Sequence, residues 1–211
     1  MWIDPIASMV VAGSTIWGAV IATKGLGLWR EQLRGTSEYD ASRRFLRAAF
    51  QVRESVRHVR NAWLSDAEME AAVAELKIQR APGQLDTEWS RRRQEAAYMV
   101  RWRSVATAMQ TLEAEAIEAE VLWGTESRSS LSQLRKCVSR LYAAMVMHFQ
   151  LDVKDRTHEP RTEESKKLAE SVFNDLYDQG SFEQRDAFGG DIDRAVSAIE
   201  AHLLPHLRAS R

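Results

Sequence analysis

Residues 86–124 read DTEWSRRRQEAAYMVRWRSVATAMQTLEAEAIEAEVLWG. Within this stretch Tyr98, Trp102, Val105, Met109, Leu112, Ala116, Ala119 and Trp123 recur at strictly alternating intervals of four and three. That spacing is the signature of one apolar face of an α-helix. Asp86 or Thr87 opens the helix and Gly124 stops it, giving about 37 residues and about 55 Å of length. A helix this long needs several partners to cover its seam, so its reading decides the fold.

The neighbouring segments supply those partners. From Ser37 to Leu64 apolar residues fall at Phe45, Ala49, Val52, Val56, Val59 and Trp63, again one helical seam. Ser65 and Glu68 have the spacing of a capping box that opens a shorter helix, which Pro82-Gly83 must end. Past Gly124, Leu131, Leu134, Val138, Leu141, Met145 and His148 keep the same spacing. A polar connector from Lys154 to Glu164, containing Pro160, follows. A helix from about Thr162 to Gln179 uses Leu168, Val172, Phe173 and Leu176, and Gly180 closes it. Ser181 and Gln184 then have capping-box spacing ahead of a last helix on Ile192, Val196, Ile199 and Leu203. No alternating strand pattern competes, so the expected class is all-α.

Charge layout predicts how the helices lie. The long helix carries Arg91, Arg92, Arg93, Arg101 and Arg103 in its first half and Glu113, Glu115, Glu118 and Glu120 in its second, the reverse of what its macrodipole favours. An antiparallel return along the Ser37 to Leu64 helix compensates. It sets the acidic half beside Arg43, Arg44 and Arg47 and the basic half beside Glu68, Glu70 and Glu75. The expectation is an antiparallel up-and-down bundle of long helices.

The N-terminus predicts a membrane anchor ahead of that bundle. Pro5 to Thr23 holds no charged side chain, close to the ~20 apolar residues that span a bilayer. Trp2 and Trp29 bracket it at the spacing of two interfacial belts. Lys24, Arg30 and Arg34 follow it, against Asp4 alone before it, so the positive-inside rule sets the C-terminal side in the cytoplasm. A cleaved signal peptide ending at Val20-Ile21-Ala22 and a buried helix are the competing readings. The expected organisation is an anchor over 1–29 and a cytoplasmic helical domain over 30–211, in a single-pass inner-membrane protein. Ser14, Gly18 and Ala22 form a small-residue face suited to self-association in the span, and Gly25 and Gly27 are candidate hinges.

The total charge is −1, yet residues 24–60 hold nine Lys and Arg against four Asp and Glu. Such a basic stretch suits an anionic lipid surface. The single Cys137 excludes an intrachain disulfide, fits a reducing compartment and reads as a buried structural thiol. His202 and His206 stand four apart, but Pro205 lies between them and no third ligand is evident, so they read as histidines favoured at a helix C-terminus. His148, on an apolar seam, reads as a hydrogen-bonded core residue. The acidic run Glu113 to Glu120 contains no Glu-x-x-His, which leaves a di-iron site without ligands. No Walker loop, GxGxxG or GxSxG occurs, and no cofactor or metal is expected.

One segment offers chemistry. Arg53-Glu54-Ser55-Val56-Arg57-His58 has the R-x4-H spacing and resembles the motif of HEPN ribonucleases, all-helical proteins in which paired Arg and His of a dimer cleave RNA. The resemblance covers this hexapeptide, and Glu54 departs from the Asn, Asp or His usual in that family after the Arg. It implies that Arg53 would stabilise phosphorane charge and His58 would move the proton. Read from the residues alone, Arg53, Arg57 and Arg60 continue a basic stripe from Arg43 and Arg47 along a solvated or lipid-facing side. Two function classes follow. The first is a non-enzymatic, membrane-anchored helical protein that forms a homo-oligomer or docks a cytoplasmic protein. The alternative is a membrane-tethered HEPN-like nuclease or toxin of a phage-defence or other conflict system, with RNA as its partner.

Overall fold

The computed structural model describes residues 35–155, 162–178 and 186–208, and every regular element among them is a helix. A helix over residues 35–60 (α1) precedes Asp66–Glu75 (α2), Asp86–Trp123 (α3), Glu126–Ser129 (α4), Ser132–Asp155 (α5), Glu163–Leu176 (α6) and Ala187–Arg208 (α7).

Side-chain pairs fix the directions. Arg44, early in α1, pairs with Glu115 and Glu118 late in α3, while Arg101 in the first half of α3 donates to the carbonyl of Asn61, just past α1. These helices are antiparallel. Arg135 near the start of α5 meets Glu113, and Phe149 near its end packs edge-on against Tyr98, so α5 reverses again. Asp186, just before α7, holds Arg60 at the end of α1, and Asp193 lies beside Arg57. The four long helices thus run up, down, up and down. The short α2 and α6 sit at the end where α1 terminates. The expected lateral pairing of α3 is observed there too: Arg93 meets Asp66 and Glu70, Arg101 meets Glu68, and Arg103 meets Glu75.

The seams form the core. Phe45, Val52, Leu112, Leu134, Leu141 and Ile199 have no solvent contact, and at ~1.5–3 kcal/mol per large apolar side chain such burial is the main drive to fold. Local signals hold the ends. Ser65 Oγ accepts from Glu68 N–H at 3.2 Å, and Gly124 adopts φ +85° to close α3, a conformation that glycine enters without strain.

Three expectations are corrected. Trp63 is 78% exposed: α1 stops at residue 60, where the Asn61 side chain accepts from Trp63 N–H and Arg101 takes the carbonyls of both, turning the indole outward. On α6, Val172 and Leu176 are buried but Leu168 and Phe173 are exposed, so that helix covers the bundle along a narrower stripe than its sequence suggested. The single-pass inner-membrane placement is withdrawn. Among the described residues no helix is long and apolar enough to cross a membrane, because every long helix flanks its seam with charged side chains. The stretch from Pro5 to Thr23, the small-residue face, the boundary at 29/30 and the Ser181/Gln184 cap lie outside the described residues.

Two buried arginines lock the capped end. Arg60 is 2% exposed. Its Nε donates to the Asp175 carbonyl at 2.8 Å, and its Nη2 to the Asn174 and Tyr177 carbonyls at 3.1 and 3.0 Å. Both Nη atoms grip the Asp186 carboxylate, and the guanidinium stacks on Phe188. The last carbonyls of α6, which have no intrahelical donor, are thereby satisfied by a side chain of α1. Arg101 does the same for the α1–α2 turn, donating to the Asn61 and Trp63 carbonyls while both Glu68 oxygens accept from it. Arg140 grips Asp175 with two nitrogens and also stacks on Phe188, 5.2 Å from the ring centroid.

Gly189 leaves room for this lock, since a Cβ there would fall onto Asp186 Oδ2. At Gly190 the nearest atom would be the mobile end of Arg194, at 3.4 Å. Both glycines are helical, where Ala is ordinarily favoured by up to ~1 kcal/mol. Gly189→Ala should therefore lower stability by about 1–3 kcal/mol, the usual cost of overpacking, while Gly190→Ala should be neutral or stabilising. Urea unfolding of the two variants checks this.

Acid provides a second test. Burial alone would raise the Asp186 carboxyl, but Arg60 and the Gly189 and Phe188 N–H groups outweigh it and hold the group below its ordinary value. Arg101 does the same for Glu68 against a smaller desolvation. A carboxyl depressed on folding contributes stability that is present above its unfolded pKa and lost as pH falls through the folded one. Stability should thus fall steeply below about pH 4, the ordinary carboxylate range. Asp186→Asn should be less stable at pH 7 yet lose less on acidification, which urea midpoints at pH 7 and pH 3 would show.

Candidate functional site

Arg53 and His58 lie on α1 five residues apart, which turns them roughly 140° from each other around the helix axis. Arg53 reaches Glu54 at 3.2 Å and Asp193 of α7 at 3.9 Å, and stacks over Phe50. His58 is exposed on the other side, where its charge helps depress Glu68 of α2. The two side chains are drawn to different neighbours, and one chain does not bring them together. Of the basic stripe, Arg43 and Arg47 are exposed and Arg57 pairs with Glu54 and Asp193. Arg60 is no part of it, being the buried lock of the bundle.

The histidines have structural partners. His202 Nε2 lies 3.1 Å from Ser127 Oγ, and His206 stacks on Trp123 with ring centroids 4.3 Å apart. Burial, then His202, lowers the His206 pKa. His148 Nε2 stands 3.2 Å from the Tyr177 hydroxyl. Among the described residues no three His, Cys, Asp or Glu side chains stand close enough to hold a metal. Cys137 is half-buried, and burial, with Asp191 beside it, raises its thiol pKa away from nucleophilic use.

What the sequence reading passed over is the far side of α3. Met99, Arg103, Ala106, Gln110, Glu113 and Ile117 form a second series at alternating four and three, and Val121 stands one turn beyond. All but the half-buried Ala106 are exposed. Ile117 is 56% and Val121 82% exposed, large values for branched apolar side chains on a helix whose opposite face fills the core. The signal was present in the quoted stretch, but the core seam is richer in large apolar residues and masks it.

Two concavities adjoin this face. A groove of about 660 Å³ runs between α1 and α3, with Arg47, Phe50 and Ser55 on one wall and Arg103, Thr107 and Thr111 on the other. A depression of about 520 Å³ lies where α2 and its following turn meet α3, with Leu76, Ile78, Ala96 and Met99 as its apolar lining and Arg92 and Glu95 at its polar edge. Neither assembles an acid–base pair or a nucleophile beside a base of the kind that catalysis requires. Each offers apolar surface edged by charge, which suits a protein partner.

No family model matches this chain, and neither the curated proteins nor the solved structures yield a match.

Proposed function

We propose that this protein is a non-enzymatic helical interaction module, a rigid bundle that presents the outer face of α3 to another protein. The observation that carries this reading is the second seam of α3, with Met99, Ile117 and Val121 exposed on the helix that also organises the core. Ile117 and Val121, one turn apart, form an exposed apolar patch at one end of the face and Met99 borders the apolar hollow at the other, and exposed apolar surface beside charge is a common mark of an association site. The bundle behind it is held by the core and by the two arginine locks, so the face arrives preorganised and its ordering cost on binding is small. A nuclease reading gains nothing from the separated Arg53 and His58.

A photo-crosslinking amino acid at position 117 should form protein adducts in the cells that make this chain, and the same group at Lys167, exposed on α6, should form few. Equal yields at both positions would sink the assignment of the face. RNA cleavage by the purified chain that disappears with Arg53→Lys and His58→Ala, while the fold persists, would overturn the non-enzymatic reading.

A further inference from the structure

From the pattern on α3 we infer that the occupant of its outer face is a second copy of this chain, docked antiparallel about a two-fold axis near residue 108. This rests on the assignment of that face in the preceding section and names its partner. In a pair of antiparallel helices an a-type position of one strand packs beside a d-type position of the other. The series Met99, Arg103, Ala106, Gln110, Glu113, Ile117 has that alternation. It is symmetric about its own centre, so Met99 falls beside the partner's Ile117, Arg103 beside the partner's Glu113, and Ala106 beside the partner's Gln110. An isologous interface must be complementary to itself in this way.

Charge gives the register. In one chain Arg103 already pairs with Glu75 and Glu113 with Arg135, and all four side chains remain at least a third exposed. Bringing Arg103 against the partner's Glu113 joins these pairs into a row of alternating sign, Glu75, Arg103, the partner's Glu113 and the partner's Arg135, repeated by the two-fold axis. A parallel docking in register would instead set arginine against arginine and glutamate against glutamate, which costs free energy. Shape agrees with charge. One turn past Ile117, the partner's Val121 reaches the level of Glu95 and Ala96, where the depression lined by Leu76, Ile78 and Met99 opens. The most exposed apolar side chain on the helix thus meets the apolar hollow beside it.

The strip from Met99 to Val121 is about 33 Å long and roughly 10 Å wide. That is on the order of 330 Å² per copy, well short of the ~800 Å² per partner in a standard stable interface. The dimer is therefore weak and depends on concentration, with the two hollows adding what the helix pair alone lacks.

The test uses the full chain. Sedimentation equilibrium from low micromolar to high micromolar concentration should show a reversible monomer–dimer equilibrium, weakened at least tenfold by Ile117→Glu without loss of helical content. Arg103→Glu and Glu113→Arg should each fail to dimerise alone, yet associate when mixed, because only the mixture restores opposite charges at both symmetry-related contacts. In a Cys137→Ser background, chains carrying Ala106→Cys should form disulfides with chains carrying Gln110→Cys in preference to themselves. Failure of the mixed charge variants to associate, or disulfides mainly between two 110 positions, would overturn the antiparallel register. A chain that stays monomeric at every concentration while position 117 still crosslinks to other proteins would overturn the second copy as occupant and leave the docking face standing. Loss of both signals would remove the face itself.

Discussion

The Arg60 guanidinium is the contact on which the arrangement of helices depends. Taking a charge out of water costs several kcal/mol even after relaxation, and here the cost is offset by five hydrogen bonds, two of them to an opposite charge, and by the Phe188 ring. Charge-assisted hydrogen bonds contribute about 1.5–3 kcal/mol each when their geometry is good. The net gain in stability is thus modest, whereas the gain in specificity is large. Only one placement of α6 and α7 against α1 gives Arg60 its three carbonyls and its carboxylate. Any slip of a residue leaves a buried cation unpaired, and leaving one unpaired typically costs ~3–5 kcal/mol. Arg101 imposes the same condition on α1, α2 and α3.

Lateral ion pairs answer the charge polarity of α3. Asp86 and Glu88 in its first turn suit the macrodipole of α3, whereas Glu120 in its last turn opposes it by a few tenths to about 1 kcal/mol, and the arginines of the first half and glutamates of the second lie mostly beyond its reach. The lateral partners on α1, α2 and α5 compensate. Exposed pairs such as Arg44 with Glu115 add little each. The Arg101–Glu68 contact is different in kind, because Arg101 is itself buried and also caps a turn.

Much of this was legible in the sequence. The bounds of α3, its core seam, its antiparallel return along α1 and the Ser65 cap all follow from spacing and charge order, which are properties local to a helix or to a pair of neighbours. What was not legible depends on contacts distant in the chain. Nothing in the string around Arg60 distinguishes it from Arg57, one exposed and the other fully buried. The difference is made by Asp175, Tyr177 and Asp186 more than a hundred residues away. Trp63 looked like the next step of a seam because periodicity cannot register that the helix has stopped. Leu168 and Phe173 looked buried because the width of a covered stripe is set by the groove that receives it, which the helix's own sequence does not specify.

The outer face of α3 follows from the same economy of charge. Most of the ion pairs that align α3 with α1 and α2 leave from beside its core seam, at Arg93, Arg101, Glu115 and Glu118. Between those flanks, on the side away from the core, the strip of Met99, Arg103, Ala106, Gln110, Glu113, Ile117 and Val121 holds two charges, Arg103 and Glu113, which pair sideways with Glu75 of α2 and Arg135 of α5. A helix solvated on that side would be expected to carry lysine and glutamate there, as the outward positions of α6 do at Glu163, Lys166, Lys167 and Glu170. The proposed association would account for this contrast between two helices of one bundle: the charges of the α3 strip also align its neighbours, Met99 borders the hollow beside Leu76 and Ile78, and Ile117 and Val121 stand exposed at the other end.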